Sequence, residues 1–439
     1  MRKTKTLYWR NTPHAMHQGF EPRGFQRMLP LVVERGLYSV RRNTFGKYKI
    51  DSMEEKKKKN TVKTLTLASF LNDFGSDAVY PIWPMFVTTI LGANMVVLGF
   101  IDGLGDAIVS VSQALSGYYS DRIQKRKIFV SLGYFLGGVS RIGYAVAGTW
   151  QWLIPFKILD RTGKMRGAPR DAMIADESSA ADRGKNFGIL STFDNLGAVC
   201  GIIFCIALFP LLGYKNLFLA AAIPSLIGAL MVTLVIKERK KPETKIFKGF
   251  RFTNLDRNFK LFLFLSGIFA LGSFSYSFLL VFANKFGFSA AYLPVLYLIL
   301  TFASSLASLP FGRYSDRLKS RKKLLFLSYI LWFLVCGILI YSQSKAAIIA
   351  ALVLYGIHKG GITVVQKAFV SDLCATEARA SSLGAFQLVI GLCALPASLV
   401  AGLLWVAVNP LIPFFLSLML TAVSGAILFF VKENFSEAA

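Results

Sequence analysis

The chain has 439 residues, 54% of them hydrophobic and 17% charged, with a formal net charge of +26. A soluble domain carries roughly 25% charged residues, so this composition argues against a water-soluble fold. The surplus of Lys and Arg then has a use other than nucleic-acid binding, namely retention on one side of a membrane.

In chain order, the first sixty residues hold fifteen Lys and Arg but no apolar run long enough for a span or a signal peptide, and read as a basic cytoplasmic tail. A translation start at Met53, just before Lys56 to Lys59, is the alternative. Apolar stretches able to cross about 30 Å of hydrocarbon follow at 62–91, 95–117, 128–148, 186–211, 214–236 and 259–284, then at 290–311, 324–343, 346–372, 382–406 and 411–431. A twelfth, 151–174, carries Lys157, Asp160, Arg161, Lys164, Arg166, Arg170 and Asp171 and fails on hydropathy. Charge placement requires it to cross: without it the basic loop 237–260 falls on the opposite side from the other basic loops. With twelve spans, one side collects twenty-two Lys and Arg, and the other only Lys215, Lys285 and Lys345. Both termini are then expected in the cytoplasm, with Trp150, Trp152 and Trp405 near the outer ends. Most of the thirty-eight Phe residues are expected to face lipid, and the five cysteines, which show no C-x-x-C pair, to serve as packing residues without metal.

Gly117-Tyr-Tyr-Ser-Asp-Arg-Ile-Gln-Lys-Arg-Lys127 recurs as Gly312-Arg-Tyr-Ser-Asp-Arg-Leu-Lys-Ser-Arg-Lys322, identical at seven of eleven positions. Each copy lies between the second and third helix of its half, as a duplicated six-helix unit in parallel orientation requires. A fainter echo relates Ala172, Asp176, Arg183 and Gly188 to Ala368, Asp372, Arg379 and Gly384. At these motifs the chain resembles the major facilitator superfamily (MFS), whose loop signature Gly-x-x-x-Asp-Arg-x-Gly-x-Arg-Lys is matched twice except at the inner Gly, replaced by Gln124 and Lys319. The helix 4 run from Asp160 to Asp176 looks like one in prokaryotic permeases of that superfamily.

The resemblance, which covers about 61–433, implies an all-α membrane fold of twelve transmembrane helices in two pseudo-twofold-related six-helix bundles. Those bundles would be 61–236 and 259–433, joined by a basic linker 237–258 and followed by a short tail, 434–439. It implies a secondary active transporter working by alternating access on a small-molecule substrate in membrane lipid, as a monomer, without cofactor, metal or nucleic acid. An uncoupled facilitator, receptor or channel is the alternative. It also implies a cytoplasmic gate of Gly117, Asp121, Arg122 and Arg126 with Gly312, Asp316, Arg317 and Arg321. Antiport is not established, because the helix 5 signature is half present, as Gly197-x-x-x-Gly201 without the Pro.

Ionisable groups inside a membrane are costly and face a partner or a water-filled cavity. Asp73 and Asp77, and Asp102 and Asp106, are four apart, so each pair shares a helical face. Like charges there repel unless neutralised from helix 4, which makes these carboxylates candidates for carrying a proton. The candidate substrate and coupling set is Asp73, Asp77, Tyr80, Asp102, Asp106, Asp160, Arg161, Lys164, Asp194 and His358, and its competing reading is a salt-bridge network that only holds helices 1, 2 and 4 together. Pro81 and Pro84 could kink helix 1 toward the cavity, and His358, beside Lys359 and two Gly residues, is read first as a packing or hydrogen-bonding residue, with a protonatable site as the alternative. An enzyme or ATP-driven pump is disfavoured: there is no H-E-x-x-H, G-x-S-x-G or G-x-x-x-x-G-K-[ST] motif, and no loop after residue 61 large enough for a catalytic domain. The sign of the solute stays open, since helix 4 cations could bind an anion or be matched by the Asp residues around them.

Overall fold

In hydrocarbon, backbone N–H and C=O groups are satisfied only within helices or closed barrels. The computed structural model describes residues 60–123, 125–178, 183–238, 256–318, 320–373 and 379–433, and every regular element among them is helical. The basic tail and the loop 239–255 lie outside the described residues.

The first helix, α1 (60–79), breaks at 80–82 beside Pro81, whose missing N–H ends the ladder, and continues as Trp83–Met85 and a π turn, Phe86–Ile90. α2 (Met95–Ile123) and α3 (Arg126–Val146) follow. α4 runs from Trp150–Gly163 through a 3-10 turn, Lys164–Arg166, into Gly167–Asp176, and so crosses despite its charges. The helical stretch Arg183–Val235 folds back at Gly213, whose φ of 65° suits a residue without Cβ, giving α5 (183–212) and α6 (214–235). The second half comprises α7 (Arg257–Leu271, resuming as Tyr276–Lys285), α8 (Leu293–Arg317), α9 (Arg321–Tyr341), α10 (Lys345–Asp372), α11 (Arg379–Ala407) and α12 (Ile412–Leu428). Among the described residues, 8 helical stretches could span a membrane by length and composition. One of these is the folded-back α5–α6 pair, while α12 is shorter, α1 is interrupted and α4 is charged.

The described residues belong to one compact unit. Within the halves, α3 packs on α4 and α6, and α9 on α10 and α12; between them, α2 packs on α11 and α5 on α8. Without a hydrophobic drive between helices in lipid, close approach of backbones supplies the contact, and small residues permit it. Gly197 and Gly201 of α5 face Phe70 and Phe74 of α1, where added methyls would run into the carbonyl oxygens. Gly197-x-x-x-Gly201 is thus a helix-packing step. Along the α2–α11 seam, a Cβ at Gly103 would lie 2.7 Å from Leu395 Cα, and others at Gly99, Gly402 and Gly391 would overlap Ser398, Met95 and Ser110.

Part of the aromatic set packs inside the protein. Phe262, Phe269, Phe274, Phe278, Phe282 and Phe414 are all buried in the second half, and Trp405, expected near the outer surface, is 8% exposed against Phe278 and Phe282. Edge-to-face rings fill the inter-helix volume that small residues leave. Trp152 does remain 62% exposed.

At the basic end the repeat becomes visible as paired contacts. Arg126 bridges to Asp176, and Arg321 Nε lies 2.8 Å from Asp372. Glu238 accepts from the first amides of α3, Arg126 N at 2.8 Å and Lys127 N at 3.0 Å; Glu433 accepts from Lys322 N at 2.6 Å and Ser320 Oγ at 2.9 Å at the start of α9. A carboxylate at a helix N-terminus meets unpaired donors and the positive end of the dipole. The side chains of Asp121 and Asp316 lie outside the described residues, while Arg122 and Arg317 are exposed at the ends of α2 and α8.

If the α2–α11 seam closes the end opposite the basic loops, Gly103→Leu should force it apart. In a background with native cysteines replaced by Ala, a cysteine at Ala401, which is 2% exposed, should change from inert to reactive toward a membrane-impermeant thiol reagent. Unchanged protection would show that the seam does not seal that end.

Candidate functional site

A buried carboxylate in a low-dielectric medium persists as a charge only when paired and hydrogen-bonded. Asp102 of α2 is 5% exposed and meets both demands. Lys157 Nζ of α4 is 3.2 Å from Oδ1, and Trp83 Nε1 donates to the same oxygen at 2.9 Å. Ser275 and Ser277 hydroxyls donate to Oδ2 at 2.9 and 2.5 Å. Lys157 Nζ sits 3.7 Å from the centre of the Trp83 ring, a cation–π contact. The two serines belong to the second half, at the point where α7 is interrupted between Leu271 and Tyr276, and Ser275 caps the resumed helix by accepting from Ser277 N. Asp102 thus ties the halves together at a helix N-terminus, where negative charge is favoured.

The cations of α4 take up most remaining acids of the first half. Arg166 is 3.6 Å from Asp73, Arg161 Nε is 3.6 Å from Asp160, and Arg170 is 2.9 Å from Asp171 and 3.3 Å from Asp194. Asp77 accepts from Tyr297 of α8 at 3.4 Å, and Lys164 acts on it electrostatically. Tyr276 donates to the Tyr80 carbonyl at 3.2 Å, adding another bridge between halves. Arg141 of α3, 1% exposed, uses neutral partners: Ser225, Ser76 at 2.8 Å and the Ala221 carbonyl at 3.0 Å.

Asp106 differs from its helix neighbour Asp102. It is exposed, and among the described residues it has no ion-pair partner within 4.0 Å. It lines both lobes of a cavity between the halves, of about 320 and 380 Å³, which also share Ser273, Phe274, Tyr355 and Lys359. One lobe adds Tyr80, Arg161, Asn195, Tyr276 and Tyr297. The other runs toward the basic end past Thr363, Lys367 and Gln387, all exposed. Beyond the Ser110–Gly391 contact, α2 residues Ala114, Leu115 and Tyr118 are exposed, whereas Leu98 and Ile101 at the other end are fully buried. The cavity is closed beyond Asp102 and open toward the basic loops.

Of the residues singled out in the sequence, Tyr80, Asp102, Asp106 and Arg161 are brought to one lobe and His358 to the other. Lys164 lies over the Tyr80 ring, 5.9 Å from its centre. Asp73 and Asp194 sit among the α4 cations, outside the cavity's lining. His358 is 3% exposed, with Nδ1 2.7 Å from the Ser328 carbonyl and its ring stacked on Trp332. Sequence reasoning missed Ser275, Ser277, Tyr276 and Tyr297, which carry no charge signal, and passed over Lys359 as a site residue.

The model of the Major Facilitator Superfamily matches residues 65–301 and 261–438. An uncharacterised MFS-type transporter of Methanocaldococcus jannaschii is 36% identical over 380 residues, covering 84% of this chain and 94% of that protein. The chain belongs to the major facilitator superfamily. An uncharacterised protein of Mycobacterium tuberculosis is 25% identical over 69% of the chain and 76% of its own length. Among solved structures, a bacterial homolog of the human lysosomal transporter Spinster, inward-facing and occupied, matches with a TM-score of 0.68 at 14% identity, covering 86% of this chain and 98% of that one. The nucleoside transporter NupG matches at 0.66 and 14%, covering 85% and 98%. At such identities these structures establish the shared fold alone. This MFS chain is accordingly a multi-pass membrane transporter built on twelve helices.

Asp102→Asn leaves Lys157 buried without its counter-ion, a loss of about 3–5 kcal/mol for a broken buried pair. Thermal unfolding in detergent should show a clear drop for the single variant and recovery in Asp102→Asn with Lys157→Met. A single variant as stable as wild type would mean that Asp102 is not held as a charge.

Proposed function

We propose that this MFS protein is a proton-coupled secondary transporter that moves a small solute by alternating access, as a monomer in the cytoplasmic membrane with both termini inside. The supporting observation is the cavity between the halves, sealed by the Asp102 contacts at one end, open at the other, and holding in Asp106 a carboxylate without a close cation. The positive-inside rule makes the open, basic end cytoplasmic, so the structure corresponds to an inward-open state. The bundles 61–236 and 259–433 rock about the α2–α11 and α5–α8 contacts, with the linker 237–258 between them.

For the opposite state the seal at Asp102, Ser275 and Ser277 must open while the basic ends approach. The Arg126–Asp176 and Arg321–Asp372 bridges, with the Asp121 and Asp316 loops, are the gate elements at that end. Glu238 and Glu433 fix the starts of α3 and α9, so each loop moves with its own bundle. Because solute and proton share one cavity, rocking carries both across in the same step.

In proteoliposomes, an imposed proton gradient should drive accumulation of a transported solute, found by screening a broad labelled panel, and a protonophore should abolish it. Asp106→Asn should keep counterflow exchange and lose gradient-driven accumulation by an order of magnitude or more. Accumulation by Asp106→Asn equal to wild type would contradict coupling at this residue, and an ohmic, non-saturating current would contradict the transporter reading.

A further inference from the structure

Most acids of the first-half cluster have an α4 cation within 4.0 Å: Asp73 has Arg166, Asp102 has Lys157, Asp160 has Arg161, and Asp171 and Asp194 share Arg170. Among the described residues Asp77, which accepts from Tyr297 and lies outside the cavity's lining, and Asp106 have none. What remains in the cavity is Asp106 with two ammonium groups of α10, Lys359 and Lys367, both exposed there. Among the described residues neither lysine has an ion-pair partner within 4.0 Å. Asp106 lines one lobe together with a cation of each half, Arg161 and Lys359. The other elements facing Asp106 add no charge: α5 contributes Asn195, α7 Ser273 and Phe274, α11 Gln387 and Gly391. His358, on α10, is turned to the Ser328 carbonyl.

The cavity therefore carries one positive charge in excess while Asp106 is ionised, and two when it is protonated. A solute carboxylate brings a second negative charge into the lobe that Asp106 lines with Arg161 and Lys359.

We infer that the transported solute is an organic monoanion whose carboxylate binds Arg161 and Lys359, which line one lobe with Asp106, entering together with the proton that neutralises Asp106. This names the substrate class of the site proposed above and rests on that reading. One proton binds the carboxylate to give the neutral acid, one anion binds the two cations, and the occupied cavity keeps the net charge of the empty one. A cationic solute meets two fixed positive charges, and a neutral one has no means of favouring the protonated form. The walls set the rest of the solute: Phe274, Tyr276, Tyr355 and Tyr80 flank the charged groups, which suits a short apolar or aromatic skeleton.

Matched sets test this: butyrate, benzoate and 2-naphthoate, each against its amide and its amine, measured as stabilisation of the purified wild-type protein and as proton-driven uptake in proteoliposomes. The inference expects carboxylates to bind in preference to their amides and amines. It expects affinity to increase roughly tenfold per pH unit of acidification while Asp106 is ionised in the empty site, since one proton is taken up with the anion. Asp106→Asn should bind carboxylates with no pH dependence, and Lys359→Gln, an exposed position, should weaken them at least tenfold while leaving the melting temperature of the empty protein unchanged. Equal or stronger binding of amines, pH-independent binding by wild type, or full affinity in Lys359→Gln would overturn it. Proton-driven uptake of amides or amines in place of carboxylates would overturn this inference and leave coupled transport standing; saturable carboxylate binding with no proton-driven uptake of any compound would overturn the coupling itself.

Discussion

The structure turns on a constraint of the medium: a carboxylate buried away from water must be matched by a cation and by donors, or it does not stay charged. Asp102 satisfies that constraint with groups from both halves. Lys157 and Trp83 come from α4 and α1, while Ser275 and Ser277 come from the interruption in α7. Closure at this end of the molecule completes the hydrogen bonding of Asp102, whose charge is matched by Lys157 of its own half. Parting the halves exchanges two hydroxyl donors for water, a change small enough for a reversible gate.

The same constraint accounts for α4. A helix with this many ionisable groups is a poor span on hydropathy, yet Lys157, Arg161, Arg166 and Arg170 each have an acid on a neighbouring helix or on α4 itself. Pairing converts an unaffordable set of charges into the interior of the first half. It also leaves Asp106 conspicuous, because on the same face of α2 as Asp102 it is matched by no α4 cation at ion-pair distance. One residue of the pair holds the halves together, and the other faces the cavity.

Much of this was legible in the sequence. Run lengths and the one-sided distribution of Lys and Arg gave the twelve spans, and the Gly117 and Gly312 repeats gave the duplication. The crossing of α4 followed from loop charges against its own hydropathy. What stayed hidden was whatever depends on packing between elements distant in sequence. Asp102 and Asp106 look equivalent along α2, since helical spacing gives a shared face and not depth. The break in α7 left only a faint signal, Gly272-Ser-Phe-Ser275 within an apolar run, and nothing in it pointed to Asp102. Tyr276 and Tyr297 reach the cavity through α7 and α8 with no charge to mark them, and Glu238 and Glu433 became recognisable as caps only once the starts of α3 and α9 were placed beside them.

The central claim is that the Asp102 contacts hold one end of the molecule shut. Spin labels at Ile90 and Val408, exposed residues of the first and second halves at that end, report it directly by pulsed electron–electron double resonance. In wild type the account predicts a single short-distance population. In Asp102→Asn with Lys157→Met, where the buried charge is removed with its partner, it predicts a second, longer population. Identical distance distributions in the two proteins would contradict it.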